Sequence, residues 1–435
     1  MVTSYAIIGA GIAGLALARK LSQSGDARVT VIEKSDLVGG RILSRVLDNG
    51  AGIAELGAGR FDAVAHERVS RLAYALGLET IPFAFVLSPL QRGLHEQTWH
   101  LLKGFCGELS DYFNMLSPRD RQRMNLEQAA LNSLGRRKFD YLVEMCGYDL
   151  LRNTDLSFEE GFQLLRHHPE TGGLFADERR KWMCFREGFS ALATALQAEL
   201  VQRVEFCLEH ELTRIEIRPG GGYELGFETR SGKKSRSFDK VIFAIPLGNV
   251  LRLRGISLSP TLRDGISAVP LTKAYFSYTD RWWDGMGLEG RCFTSASIFR
   301  KVYFPREGKF LLVYSDGRSA HALHDAFVHD RGIHMAFVEA IRDVLPFALG
   351  DDIIPHPVSA EHQFWPEGIS FWRSGINLVP AGFWPIGDDA VVCSDLFTNY
   401  PGWVEGALAS AERVLEHLLP MPEGGTARMT EGVVI

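Results

Sequence analysis

Cysteine is scarce in this chain and never clustered. Six occur in 435 residues (Cys106, Cys146, Cys184, Cys207, Cys292 and Cys393), with no C-x-x-C among them. That excludes a zinc ribbon or a local dithiol site, and it fits thiols kept reduced in a cytoplasmic setting. Basic residues gather only into pairs or triplets such as Arg179-Arg180-Lys181, and the net charge is −6. Nucleic acid and anionic membrane surfaces call for a concentrated basic face, so neither is an expected partner. No stretch reaches the ~18 charge-free apolar residues of a membrane span. The apolar opening YAIIGAGIAGLALA has no basic region before it and no convincing cleavage site, so it does not read as a signal peptide. Internal repeats, low-complexity tracts, nucleophilic triads and metal-ligand clusters are also missing.

What remains is an ordinary globular composition, 46% hydrophobic and 23% charged. The length exceeds what one hydrophobic core serves, and it predicts two domains.

The first forty residues carry the strongest signal. A short apolar strand runs into Gly9, Gly11 and Gly14 at G-x-G-x-x-G spacing, and a helical pattern follows. The first glycine permits the tight turn, the second lets backbone approach a pyrophosphate, and the third lets helix and strand pack closely. A second strand ends in Glu33, nineteen residues beyond Gly14, where an acid takes ribose hydroxyls. Further on, AELGAGRFD (54–62) is nearly bare of side chains until Arg60. Helical periodicity follows at HERVSRLAYALGLE, RRKFDYLVEMCGYDLL and GFSALATALQAELV. Strand patterns return at VEFCLEHELTRIEIRP, GYELGFETRSGKKSRSFDKVIFAIP, LTKAYFSYTDRWW and KVYFPREGKFLLVYSDG. HMAFVEAIRDVL is helical, and the tail reads as strand, loop and helix.

These motifs together resemble the flavin-containing amine oxidase superfamily over nearly the whole chain. The likeness rests on the glycine fingerprint with Glu33, on Gly39-Gly40-Arg41 as a second dinucleotide segment, on Glu55-Leu56-Gly57, and on Gly402-Trp403-Val404-Glu405-Gly406. The segments ELGAGRF, CGYDLL, HHPE, PLTKAYFSYTDRWW, RKVYF, VVCSD and GWVEGAL are similar to the L-amino acid oxidase branch, and within it to the tryptophan oxidases of violacein biosynthesis. The cofactor implied is FAD rather than NAD. It would be noncovalent, since Cys393 is not at the position of the cysteine that links flavin in monoamine oxidases. The fold implied is α/β with α+β parts: a Rossmann-like FAD-binding domain of the glutathione-reductase type (1–60, 201–250, 375–420) and a discontinuous substrate domain of mixed sheet and helices (61–200, 251–374), with 421–435 as a tail.

The resemblance also assigns residues. Gly9, Gly11, Gly14, Glu33, Gly40, Arg41, Leu56, Gly57, Ala58, Arg60, Val204, Asp395, Trp403 and Val404 would meet the cofactor, Asp395 near the ribityl chain or pyrophosphate. There Ser394 stands where many members have glycine. Arg60 would hold a substrate carboxylate bidentately, a task suited to a rigid guanidinium fork. Pairing with an acid or with an FAD phosphate is its alternative. Tyr314 would add a hydrogen bond to the carboxylate, or else be a core aromatic. Lys273, ten residues before Trp283, would hold a water or O2 against flavin N5, with direct substrate contact as the lesser option. Trp403 would wall the cavity, with Tyr400 beside it, and His168 and Tyr148 would lie near the side-chain pocket. Pro401, where the branch has cysteine, bears on fine specificity.

The activity implied is oxidation of an aromatic L-amino acid, L-tryptophan first. A hydride passes from Cα to flavin, and an imino acid and H2O2 are formed, as in natural-product biosynthesis. The partners are the amino acid and O2, and a homodimer is left open. Amine or polyamine oxidation, monooxygenation to an amide and CO2, and a silent flavoprotein are the rivals.

Overall fold

In this computed structural model the chain is described for residues 2–83, 85–87, 95–167, 172–175, 180–256, 258–329, 331–345, 354–376 and 381–419. The apolar run Thr3–Ile8 forms strand β1, and Tyr5, Ala6, Ile7 and Ile8 are all buried. Unbroken burial is the mark of a parallel strand covered on both faces. Helix α1, Ile12–Leu21, follows after the glycine turn, and strand β2, Ala27–Ile32, returns parallel to β1. Leu15, Leu17, Ala18 and Leu21 of α1 are fully buried in the core beside β1 and β2. A leucine so buried contributes about 1.5–3 kcal/mol.

The rest of this sheet comes from far along the chain. Lys240–Phe243 pairs parallel on the other side of β1, Ala390–Val392 lies parallel beyond it, and Trp384–Pro385 closes that edge antiparallel. Glu205–Cys207 pairs parallel with β2 at the opposite edge. The run KVIFAIP therefore does return to the opening strand. A three-stranded antiparallel sheet of His210–Ile217, Tyr223–Thr229 and Gly232–Phe238 packs on the opposite face of β1, in a second core with Ala6 and Ile8. Its outer strand carries Lys233 and Lys234 exposed, which discourages edge-to-edge pairing.

A second six-stranded sheet has the order Ser359–Trp372, Ile266–Ser277, Phe310–Asp316, Lys301–Phe304, Arg291–Thr294 and Val86–Leu87. Across its first four strands Gln363, Lys273, Tyr314 and Lys301 stand directly opposite one another. Opposite residues in an antiparallel sheet share a face, so this row projects to one side. Leu311, Val313 and Ser315 are buried on the other. Helices Gly317–Val328 and Ile333–Val344 cover parts of this sheet.

Two sequence readings need correction. The helical pattern read through Leu151 ends at Cys146, because Gly147 takes a left-handed conformation (φ 65) and caps the helix. The strand Ser359–Trp372 was not singled out, since Pro366, Glu367 and Gly368 interrupt its alternation.

Helix Phe158–His167 meets the end of that strand. Glu160 accepts a long bond from the Trp372 N–H (3.5 Å), while its Oε2 is buried without a hydrogen bond. Burial pushes its carboxyl up to about 8, and Glu159 adds to the shift. A folded-state pKa above the unfolded value of 4.5 means that the folded chain holds the proton more tightly. The resulting stability is full below pH 4.5 and is lost as pH rises through 8. Glu160→Gln, which has no proton to lose, is expected to stabilise by ~1–3 kcal/mol near pH 8 and by almost nothing near pH 4.5. Melting temperatures of both chains across that pH range check this, and a constant gap would refute it.

Candidate active site

The β1–α1 turn, the end of β2 and the 39–41 loop open into one cavity of about 990 Å³. Gly9 adopts φ +104, a region that side chains avoid, and a Cβ there would lie 2.6 Å from the carbonyl oxygen of Ala244. A Cβ at Gly14 would lie 2.0 Å from the Gly9 carbonyl oxygen, so this glycine serves helix–strand packing. Gly11 is different. Its backbone is extended, and a Cβ there would meet nothing within 4 Å. No side chain caps α1 at Gly11, and the first amides of the helix border the cavity. A helix start left open in this way suits a phosphate.

Glu33 is fixed at the cavity edge. Its Oε2 accepts the Ala10 N–H (2.9 Å), and its Oε1 accepts the N–H and hydroxyl of Ser35 (3.0 Å each). Gly40 and Arg41 line the cavity, yet Arg41 also reaches across the fold, donating to Asp395 Oδ1 (2.6 Å) and to the Gly368 carbonyl (3.1 Å). Asp395 accepts the Gly402 N–H as well (2.7 Å), which ties the loop before the last helix to the 39–41 loop.

At the other end the same cavity is lined by Leu56, Gly57, Ala58, Lys273, Trp365, Asp395, Trp403 and Val404. The bare loop is held from three sides. Gly57 and Ala58 donate to the carbonyls of Leu43 and Arg41. Lys273 Nζ donates to the carbonyls of Glu55 (3.0 Å) and Gly57 (2.5 Å). Trp365 Nε1 donates to the Leu56 carbonyl (2.8 Å). Beneath the loop Glu55 accepts from Ser44 Oγ (2.6 Å) and the Phe189 N–H (2.7 Å). Burial raises the Glu55 carboxyl, against those bonds and the nearby Lys273 charge.

Five assigned residues stand outside this cavity's lining. Gly14 and Val204 sit in the nucleotide-side core. Arg60 ends the bare loop with its guanidinium 5.1 Å from the Phe83 ring centre. Tyr314 lies directly across from Lys273, and its ring is 5.9 Å from that of Tyr148. Lys301 Nζ sits over the Tyr148 ring. His168 lies outside the described residues. Cys393, which sequence spacing set apart from a flavin-linking position, does join the lining, but burial pushes its thiol up to about 12 and keeps it protonated. Sequence reasoning missed Trp365 and the role of Glu55. The one signal for Trp365 was a tryptophan between Phe364 and Pro366 in an otherwise polar stretch. Among the described residues no group of three or more His, Cys, Asp and Glu is placed to hold a metal, and no helix is long and apolar enough to cross a membrane.

A glycine turn opening on a bare helix start, a clamped acid at the end of β2 and a second glycine loop define a dinucleotide-binding protein. The chain belongs to the flavin containing amine oxidoreductase family, whose model matches residues 12–419. Solved structures of putrescine oxidase share the fold. One is a single-site mutant from a redesign of cofactor binding (TM-score 0.74, 17% identity, covering 96% of this chain and 99% of that one). Another is the wild type bound to putrescine (TM-score 0.71, 18% identity, with the same coverage). An L-amino-acid oxidase of Mus musculus is 38% identical over 77 residues, which span 18% of this chain and 12% of that protein. The cofactor is FAD, and the open space over Gly11, the uncapped start of α1 and the held Glu33 carboxylate fit it.

Proposed function

We propose that this flavin-dependent amine oxidoreductase is an L-amino acid oxidase for aromatic substrates, L-tryptophan first, then L-phenylalanine and L-tyrosine. The observation that carries the reading is the placement of Arg60 at the end of the loop that Lys273 holds, with Tyr314 across the sheet from that lysine. A fork of donors and a hydroxyl together suit a carboxylate, which a simple amine lacks. The partial likeness to an L-amino-acid oxidase supports the same choice.

FAD, bound noncovalently along Gly9, Gly11, Glu33, Gly40 and Arg41, supplies the two-electron oxidation of the carbon–nitrogen bond, with O2 as acceptor. The protein's own residues supply position and charge. Arg60 and Tyr314 anchor the carboxylate. Lys273 fixes the loop by its bonds to two carbonyls and keeps a water near Leu56–Ala58. Trp403 walls the cavity, and Tyr148 borders the side-chain pocket. The segments 1–60, 201–250 and 375–420 form the FAD domain, with 61–200 and 251–374 as the substrate domain. The test is an anaerobic screen of the bound flavin against the twenty L-amino acids, tryptamine and putrescine. Bleaching by aromatic amino acids is expected. Bleaching by amines alone, or by none of them, would overturn the reading.

A further inference from the structure

We infer that His66 is a positioning residue that sets the attitude of Trp403 in the cavity wall. This deepens the reading above, because it takes Trp403 as the surface that a ligand's side chain meets. His66 is 3% exposed and precedes helix Glu67–Ala75. Its ring centre lies 5.0 Å from that of Trp403, 5.5 Å from Tyr400 and 6.0 Å from Trp182. Trp182 and Trp403 lie 5.4 Å apart, so the imidazole is packed against both indoles of a close pair.

One bond fixes the imidazole and two more hold the backbone that carries it. The ring Nδ1 accepts the Asp62 N–H (3.1 Å), the His66 backbone N–H donates to the Asp62 carbonyl (2.8 Å), and the His66 backbone carbonyl accepts from Ser70 Oγ (3.0 Å). With Nδ1 as acceptor the neutral ring carries its proton on Nε2. Trp403 is held from its own side. It immediately precedes helix Val404–Leu418, and Glu405 of that helix accepts the Arg68 and Val69 N–H groups and pairs with the Arg68 guanidinium (3.0 Å). The starts of two helices are thus clamped together, and the two rings at the clamp are His66 and Trp403. An apolar side chain would fill the same space more cheaply, since a buried polar ring is tolerated only where it bonds. What histidine adds is a ring whose rotation is locked by a backbone bond.

The charged and titratable groups acting on it are Asp62, Arg180 and His167, and its neighbour Tyr400 is influenced by Glu405 and Arg68 as well. Burial, with Arg180 and His167 adding to it and Asp62 opposing, lowers the imidazole to about 4. It therefore stays neutral, with Nδ1 free to accept, across ordinary working pH.

The test uses the full chain with its flavin. His66→Asn places an acceptor near the Nδ1 position but removes the ring, and Trp403→Phe marks the circular-dichroism signal that arises from the coupled indoles. His66→Asn is expected to lose most of that signal. It should also raise KM for a bulky aromatic amino acid by about 10-fold, with a much smaller change in kcat for that same substrate. If His66→Asn does not fold, His66→Leu is measured under the same criteria. An indole signal equal to that of the wild type overturns the inference. Loss of the signal in a protein that oxidises no L-amino acid upholds the positioning of Trp403 and sinks the substrate reading instead.

Discussion

Arg60→Ala is expected to lower kcat/KM for the preferred L-amino acid by about 100-fold, mostly through KM. A charge-assisted fork on a carboxylate contributes ~2–3 kcal/mol, and each 1.36 kcal/mol is a factor of ten. Arg60→Lys keeps the charge and loses the fork, so it should recover only part of the loss. Initial rates of H2O2 formation measure both. Arg60 also lies over the Phe83 ring, so melting temperatures of the variants are needed beside the kinetics. A fall in activity that follows a fall in stability would count against a substrate role, and an Arg60→Ala enzyme with unchanged kcat/KM would end it.

The second large effect separates two glycines of one cavity. A Cβ at Gly57 would lie 2.0 Å from the Arg41 carbonyl oxygen and 3.0 Å from the Leu43 nitrogen, both of them backbone atoms that cannot step aside. Gly57→Val is therefore expected to prevent the loop from closing on the 41–43 segment, with little soluble, flavin-loaded protein recovered. At Gly11 the protein itself gives no reason for glycine, since the backbone is extended and no atom waits within 4 Å. Only a ligand lying over the turn accounts for it. Gly11→Val should fold with nearly the wild-type apoprotein melting temperature and yet weaken FAD binding by on the order of 100-fold or more, about 2.7 kcal/mol or more. Titration of the apoprotein with FAD, followed by flavin fluorescence, measures this. Equal affinity in the variant would place the pyrophosphate elsewhere.

The two positions also show what was legible in the sequence. Gly9, Gly11, Gly14 and Glu33 lie within one βαβ unit, where spacing along the chain translates directly into spacing in space, so their geometry could be read without a structure. Lys273 was singled out by family likeness, through its spacing to Trp283, and nothing in the sequence set Tyr314 opposite it. Arg41 shows the limit. Its glycine-loop position was readable, but its ion pair with Asp395 joins residues 354 apart in the chain, and no local pattern carries that. His66 was invisible for the same reason: Trp182 and the Tyr400–Trp403 stretch reach it from two distant segments. Trp365 was hidden by an irregular strand, where Pro366 and Gly368 break the alternation that marks a sheet. Glu55 was quoted only as part of a motif; Ser44 faces it across a local strand pair, but its bond to the Phe189 N–H joins residues 134 apart in the chain.

Whether this enzyme holds its substrate by a carboxylate is tested most directly by comparing L-tryptophan with tryptamine, which differ only by that group. The wild-type enzyme should favour L-tryptophan in kcat/KM by about 100-fold, and Arg60→Ala should bring the two close together. A wild-type enzyme that oxidises tryptamine as well as or better than L-tryptophan would contradict the account.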